Sequence, residues 1–200
     1  MKKMEIAVFA SFLICLFAAC FQISFSRECE NVRADTLRLH VIANSDSDAD
    51  QQVKLAVRDA ILEQSAELFG GAHSKQEAER ALDDKLAEIE RIANRTLVQN
   101  GFDYTACVTV GESWFNTREY ENFILPAGSY TALKVELGEA AGKNWWCVLY
   151  PSLCVPCASG GEPLEEYTEQ ERALVTAEGG WEVRFKIEEW FQSWFAPQEG

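Results

Sequence analysis

The residues of this chain that could carry chemistry are its seven cysteines, its two histidines and a run of alternating aspartates. Cys154-Val155-Pro156-Cys157 has the spacing of a thiol redox pair. Such a pair normally opens a helix, whose N-terminus lowers one thiol pKa and supplies the attacking thiolate. Here Ala158-Ser159-Gly160-Gly161-Glu162-Pro163 follows, a loop composition, so redox catalysis is not expected. Asp46, Asp48 and Asp50 begin as a calcium loop does. Gln51, however, stands where the sharp turn needs glycine, and Val57 where the bidentate glutamate belongs. Helix capping explains these aspartates better.

His40 lies on the polar side of an alternating stretch, and His73 in a Gly-rich turn. Neither has the paired spacing of a zinc site. A Gly-x-Ser-x-Gly elbow and a Gly-rich phosphate loop are also missing. The residues alone therefore predict no catalytic set, no cofactor and no metal, which favours a binding module over an enzyme.

The chain organises itself around the stretch from Arg38 to Leu62. Leu37, Leu39, Val41 and Ala43 alternate with Arg38, His40 and Asn44, the period of a half-buried strand. Asn44-Ser45-Asp46-Ser47 supplies capping residues, and Asp48 and Asp50 place carboxylates in a first helical turn. Val53, Val57, Ala60, Ile61 and Leu68 then follow helical spacing, and Gly70-Gly71 ends the helix. Ser74 and Glu77 form a capping box opening a second helix with Ala78, Leu82, Leu86, Ile89, Ala93 and Leu97 as its stripe. Asn100-Gly101 closes it.

Strands are expected over 102–110, briefly within 118–124, and over 130–137. Residues 145–150 are apolar on both faces and read as a central strand covered on both sides. Trp145 and Trp146 then face opposite ways, at least one of them into the core. The glycines of 138–144 suit a hairpin loop. Residues 165–177 read as a solvated helix, and Trp181, Val183, Phe185 and Ile187 alternate as a last strand. A single helix from Glu182 is the competing reading. Trp190, Phe191, Trp194 and Phe195 suit a short terminal helix.

Residues 1–26 differ in kind. Lys2 and Lys3 precede a continuous apolar run over residues 6–25, the pattern of a signal peptide or a membrane anchor. Residues 27–35 read as a polar linker, and 36–196 as one extracytoplasmic domain. Export permits disulfides. A turn at Tyr150-Pro151-Ser152 would bring Cys147 and Cys154 within bridging distance, with Cys154–Cys157 as the rival link. Cys29, Cys107 and Cys157 receive no partner. The charge, 18 basic against 32 acidic residues for a net −14, makes nucleic acid and anionic membrane surfaces poor partners.

The fold class that follows is α+β. One mixed or antiparallel sheet carries two main amphipathic helices on one face, preceded by the N-terminal signal or anchor.

Two blocks of sequence also resemble a known family. Leu-Arg-Leu-His-Val-Ile-Ala-Asn-Ser-Asp-Ser over 37–47, with Val-Lys-Leu-Ala-Val-Arg-Asp-Ala-Ile-Leu over 53–62, forms the first. Pro-Ala-Gly-Ser-Tyr-Thr-Ala-Leu-Lys-Val-Glu-Leu-Gly over 126–138, then Gly-Lys-Asn-Trp-Trp-Cys from Gly142 and Cys154 beyond it, forms the second. Both are similar to the stage II sporulation protein R family. Ser152 stands where that family usually has a second proline, and 155–161 look like a local addition.

The resemblance implies a secreted or membrane-anchored signal of endospore formation, placed between forespore and mother cell. Its partner would be the membrane-embedded aspartic protease that processes pro-sigma-E. Asn44, Asp46 and Asp48 in one turn, and Lys143 and Asn144 in one loop, are the candidate contacts, since both loops follow strands that could present them. An exported enzyme acting on cell wall or on thiols is the alternative. A deep cleft with clustered titratable groups would favour that enzyme, and a shallow aromatic and polar face the signal.

Overall fold

The computed structural model describes residues 2–69, 72–120, 123–151, 167–176 and 182–193. At its centre is β1 (Leu37–Ile42), whose six residues are all buried. It pairs in parallel with β5 (Gly128–Leu137) and antiparallel with β6 (Asn144–Tyr150). β2 (Ala106–Phe115) lies antiparallel on the far side of β5, so the mixed sheet runs β2-β5-β1-β6.

Two expectations change with this order. β1, not the Trp-Trp strand, is the central strand covered on both faces; β6 is an edge strand of the four. The glycine-containing loop after β5 is no hairpin either. It passes over the end of β1, because β1 sits between the two strands the loop joins. The shift from half-buried to fully buried follows from the same cause, since helices cover both sides of β1.

One face carries α2 (Asp48–Phe69) and α3 (Lys75–Gln99), as expected. Leu37, Leu39 and Val41 of β1 meet Val53, Val57 and Ile61 of α2, and Leu82, Ile89 and Leu97 of α3 complete this core. Each fully buried aliphatic side chain here contributes about 1.5–3 kcal/mol relative to exposure. Ser47 Oγ accepts from the Asp50 N–H at 3.1 Å, and Ser74 Oγ from the Glu77 N–H at 3.3 Å, so both helices begin where capping residues put them. Glu77 reaches one residue further back than a capping box requires, accepting from the His73 N–H at 2.8 Å. α3 ends at Asn100, followed by Gly101 at φ +83°, a left-handed position suited to glycine.

The other face is closed by α1 (Lys2–Ala34), α4 (Glu169–Val175), α5 (Glu182–Ser193) and a small ribbon of β3 (Arg118–Glu119) and β4 (Ile124–Leu125). Met4, Phe9, Phe12 and Phe17 of α1 are all exposed. This half has the length and composition of a membrane span or an export signal. From Phe25 onward the same helix enters the domain. Phe25, Cys29 and Val32 are buried with Tyr167, Leu174, Val175 and Phe185. The polar linker expected over 27–35 is therefore helix through Ala34, and its apolar stripe packs against the domain.

Two further expectations give way on this face. α4 is not solvated: Glu171, Leu174 and Val175 are buried, and Thr168 with Glu171 forms a complete capping box. The expected last strand is α5, because Phe185 and Glu188 at helical spacing both turn inward. Gly70, Gly71, Cys154, Cys157, residues 158–163, Gly179, Gly180, Trp194 and Phe195 lie outside the described residues.

Beneath the ribbon, Arg38 of β1 is completely buried. Its guanidinium sits 4.1 Å from the Phe115 ring centroid and 5.0 Å from that of Tyr130. It donates to the Tyr120 hydroxyl at 2.6 Å and to the Cys147 carbonyl at 3.2 Å. Aromatic faces and oxygen acceptors thus do the work a carboxylate would do for a buried cation.

Candidate partner-docking site

The two loops expected to meet a partner meet each other first. β1 ends at Ile42, and the turn from Ala43 to Ser47 delivers the chain to α2. The segment 138–143 crosses that turn. Ala141 N–H donates to the Asn44 carbonyl at 3.1 Å, and Gly142 N–H to the Ala43 carbonyl at 2.9 Å. Side chains add two more links. Asn44 Oδ1 accepts from the Glu139 N–H at 2.9 Å, and Asp46 Oδ1 from the Lys143 N–H at 2.8 Å. Gly138, at φ +57°, and Gly142 let the segment lie this close. A Cβ on either would collide with Asn44 Oδ1 or the Ser45 carbonyl respectively.

Asp50 is the hub under this crossing. It is 5% exposed, and its carboxylate accepts from Asn44 Nδ2 at 3.0 Å, Ser45 Oγ at 2.5 Å and Tyr104 Oη at 2.6 Å. Burial pushes the Asp50 carboxyl up, but the hydrogen bonds from Ser45, Tyr104 and Asn44, with Ser47 close by, outweigh it and bring it down to about 2. The Tyr104 hydroxyl is pushed up by burial and by its bond to that carboxylate. Lys54 is held alongside, donating to Gln51 Oε1 at 2.6 Å and to the Lys143 carbonyl at 2.9 Å. The loops are thereby one rigid end of the sheet.

On the face opposite α2 and α3, this end opens into a groove of about 990 Å³. His40, Trp146, Lys134, Glu136, Asn144 and Arg118 are among its walls. His40, expected on a wet strand face, is only 7% exposed. Its ring stacks on Trp146 with centroids 3.8 Å apart, and Nε2 lies 2.9 Å from Asn144 Oδ1. Lys134 pairs with Glu136 at 2.9 Å. On the other side of the strand Trp145 lies under Arg58, 4.3 Å from guanidinium to ring centroid. The two tryptophans face opposite ways, as the alternation predicts. No group of three or more His, Cys, Asp or Glu side chains able to hold a metal occurs among the described residues.

Of the expected contact residues, Asn44, Asp46 and Lys143 are joined in the crossing, and Asn144 belongs to the groove. Asp48 is exposed in the first turn of α2. Asn44 and Asp46 thus hold the surface in shape, which leaves the outward side of the crossing and the groove wall as the candidate contact surface. From sequence Asp50 reads only as a first-turn helix carboxylate, and Tyr104 is not singled out. The signal for Asp50 was present, a carboxylate among several hydroxyl donors, but Tyr104 reaches it only through tertiary contact.

Residues 33–159 match the family model described as stage II sporulation protein R. A curated relative from Bacillus subtilis (strain 168), named stage II sporulation protein R, is 36% identical over 182 residues. The alignment covers 80% of this chain and 81% of that relative. No solved structure matches.

Proposed function

This chain belongs to the stage II sporulation protein R family, and from that premise we propose that it is an extracytoplasmic signal of endospore formation. In this reading the apolar half of α1 carries the domain across or onto the forespore membrane. The domain then lies in the space between forespore and mother cell. There it binds the membrane-embedded aspartic protease of the mother cell and favours the state that processes pro-sigma-E. The chain acts as that protease's ligand and not as a catalyst.

The observation that carries the proposal is the family match over 33–159, which spans both crossing loops and the whole sheet. The groove adds support, being a face of aromatic and polar groups in which Lys134 pairs with Glu136 and His40 lies against Asn144. A ligand of this kind works by binding the active receptor state more tightly than the inactive one.

Co-expression in a non-sporulating host tests it. The protease and pro-sigma-E together should give little mature sigma-E, and adding this chain with its N-terminal segment should give abundant product. Equal processing without the chain, or none with all three present and exported, would sink the reading.

We also propose that Cys147 pairs with Cys154 in the exported protein. Cys147 is buried on β6, seven residues before Cys154 in the sequence. Mass spectrometry without reduction should recover the two as one linked peptide pair. Recovery of a Cys154–Cys157 link, or of alkylated Cys147, would contradict the pairing.

A further inference from the structure

We propose that the outer edge of β2 at Val110, Glu112 and Trp114 accepts an extended, basic segment of the partner protein as an added strand. The identity of that partner rests on the signalling reading above.

The register of the sheet fixes which groups are on offer. Gly138 N–H donates to the Thr105 carbonyl at 3.0 Å, and Ala106 pairs with Leu137. Continuing this antiparallel alternation, Cys107, Thr109, Gly111, Ser113 and Phe115 bond to β5. The N–H and C=O of Ala106, Val108, Val110, Glu112 and Trp114 therefore point outward. α3 closes the first part of this edge. Asn94 Oδ1 accepts from the Ala106 N–H at 2.9 Å, and Glu90 Oε2 from the Val108 N–H at 3.3 Å. Beyond that, the outward backbone groups of Val110, Glu112 and Trp114 take no partner among the described residues. An open edge is something folded proteins usually cover or blunt. Among the described residues the covering stops halfway along this strand.

Side chains define what fits. On one face of the edge Glu112 is fixed by Ser129 Oγ at 2.8 Å and Thr131 Oγ1 at 3.1 Å. On the other face are Gly111 and Ser113. A Cβ on Gly111 would meet nothing within 4 Å, and Ser113 already lines the groove. An incoming strand can therefore lay a large side chain over Gly111 and into the groove. A second copy of this chain is the wrong occupant. Two β2 edges paired around Glu112 would set carboxylate against carboxylate, in molecules each carrying a net −14. A basic residue opposite Glu112 suits the site, and backbone pairing supplies the rest.

The test uses the full chain co-expressed with the protease and pro-sigma-E. Val110→Pro and Glu112→Pro each remove an outward N–H without breaking a bond to β5. Each should cut processing at least tenfold while leaving the melting temperature of the purified chain close to the parent. Should the proline variants not fold, Glu112→Lys keeps the backbone and should give a similar loss against a basic partner. A photo-reactive phenylalanine analogue replacing Trp114 should cross-link to the protease. If the unaltered chain triggers no processing, the signalling reading fails and the cross-link alone decides the edge. Cross-linking between two copies, no cross-link to the protease, or undiminished processing in folded Glu112→Pro and Glu112→Lys would overturn the proposal.

Discussion

Asp50→Ala is expected to lower the melting temperature of the domain by roughly 6–12 °C at neutral pH. Three hydrogen bonds converge on this buried carboxylate, from Asn44, Ser45 and Tyr104. Removing the acceptor leaves their donors short of partners in a place water barely reaches. Such a loss costs about 3 kcal/mol, and in a domain of this size that shifts melting by about that range. Asp50→Asn keeps the shape and should lose less.

The two variants also separate charge from packing through pH. The folded carboxyl titrates at about 2, below the roughly 3.9 of an unfolded aspartate. Its charge therefore stabilises the fold fully above about pH 4, and that contribution disappears as pH falls towards 2. Other carboxylates titrate in the same window, so the quantity to read is the gap between parent and Asp50→Asn. The gap should be constant above pH 5 and narrow steadily below 4. Parallel curves down to pH 2 would show that Asp50 is not held as described. Because Asp50 fixes Asn44 and Ser45, Asp50→Ala should also loosen the crossing of 138–143 over the end of β1.

What could be read from sequence was local, and what could not was set by distant pairing. The strand-turn-helix from β1 to α2 announces itself because the period changes from two to 3.6 at residues that cap helices. The Ser74 cap and the α3 stripe were legible for the same reason. Strand order was not. Nothing near 138–144 says that β1 will insert between β5 and β6, so glycines there read as a hairpin. The Trp-Trp strand looked central because both its faces are apolar. Yet at the edge neither tryptophan is fully buried: Trp145 stays exposed with Arg58 stacked over it, and Trp146 is half-buried against His40.

At residues 182–188 both periods fit, and only burial of Phe185 and Glu188 together selects the helix. Over 27–34 the charged residues hid a helical stripe of Phe25, Cys29 and Val32 that was there to be seen. Of the candidate contacts, the sequence placed the two loops at strand ends correctly. It could not reveal that Asn44 and Asp46 are occupied in tying those loops together.

A chain beginning at Arg27 is expected to be far less stable than one beginning at Phe21, although both lack residues 1–20, most of the apolar run. Phe25 is 1% exposed and meets Phe185 edge-on with centroids 5.4 Å apart. Losing a buried phenylalanine costs about 3–5 kcal/mol. The shorter chain also strips donors from Glu188, whose side chain is fully buried. Ser26 Oγ donates to it at 2.6 Å and Gln22 Nε2 at 3.3 Å, leaving Gln192 at 3.0 Å and Arg33 at 3.7 Å. A buried carboxylate short of donors costs a further 1–3 kcal/mol or so. The sum approaches the whole stability of an ordinary domain, about 5–15 kcal/mol.

Thermal melting of the two chains should differ by at least 10 °C, or the shorter one should fail to accumulate as folded protein. In the full chain, Phe25→Ala should reproduce most of the loss. Equal melting of both truncations would mean that α1 does not belong to the fold. The consequence reaches function. A 33-residue helix is about 50 Å long, and a bilayer core takes up about 30 Å of it. The rest is clamped by α4 and α5 with no flexible joint between. If that helix remains in the membrane, the domain cannot swivel, and the groove and the β2 edge face their partner at one fixed angle. Inserting a flexible Gly-Ser segment after Phe21 would release that angle without touching the core, so processing should fall while melting stays put.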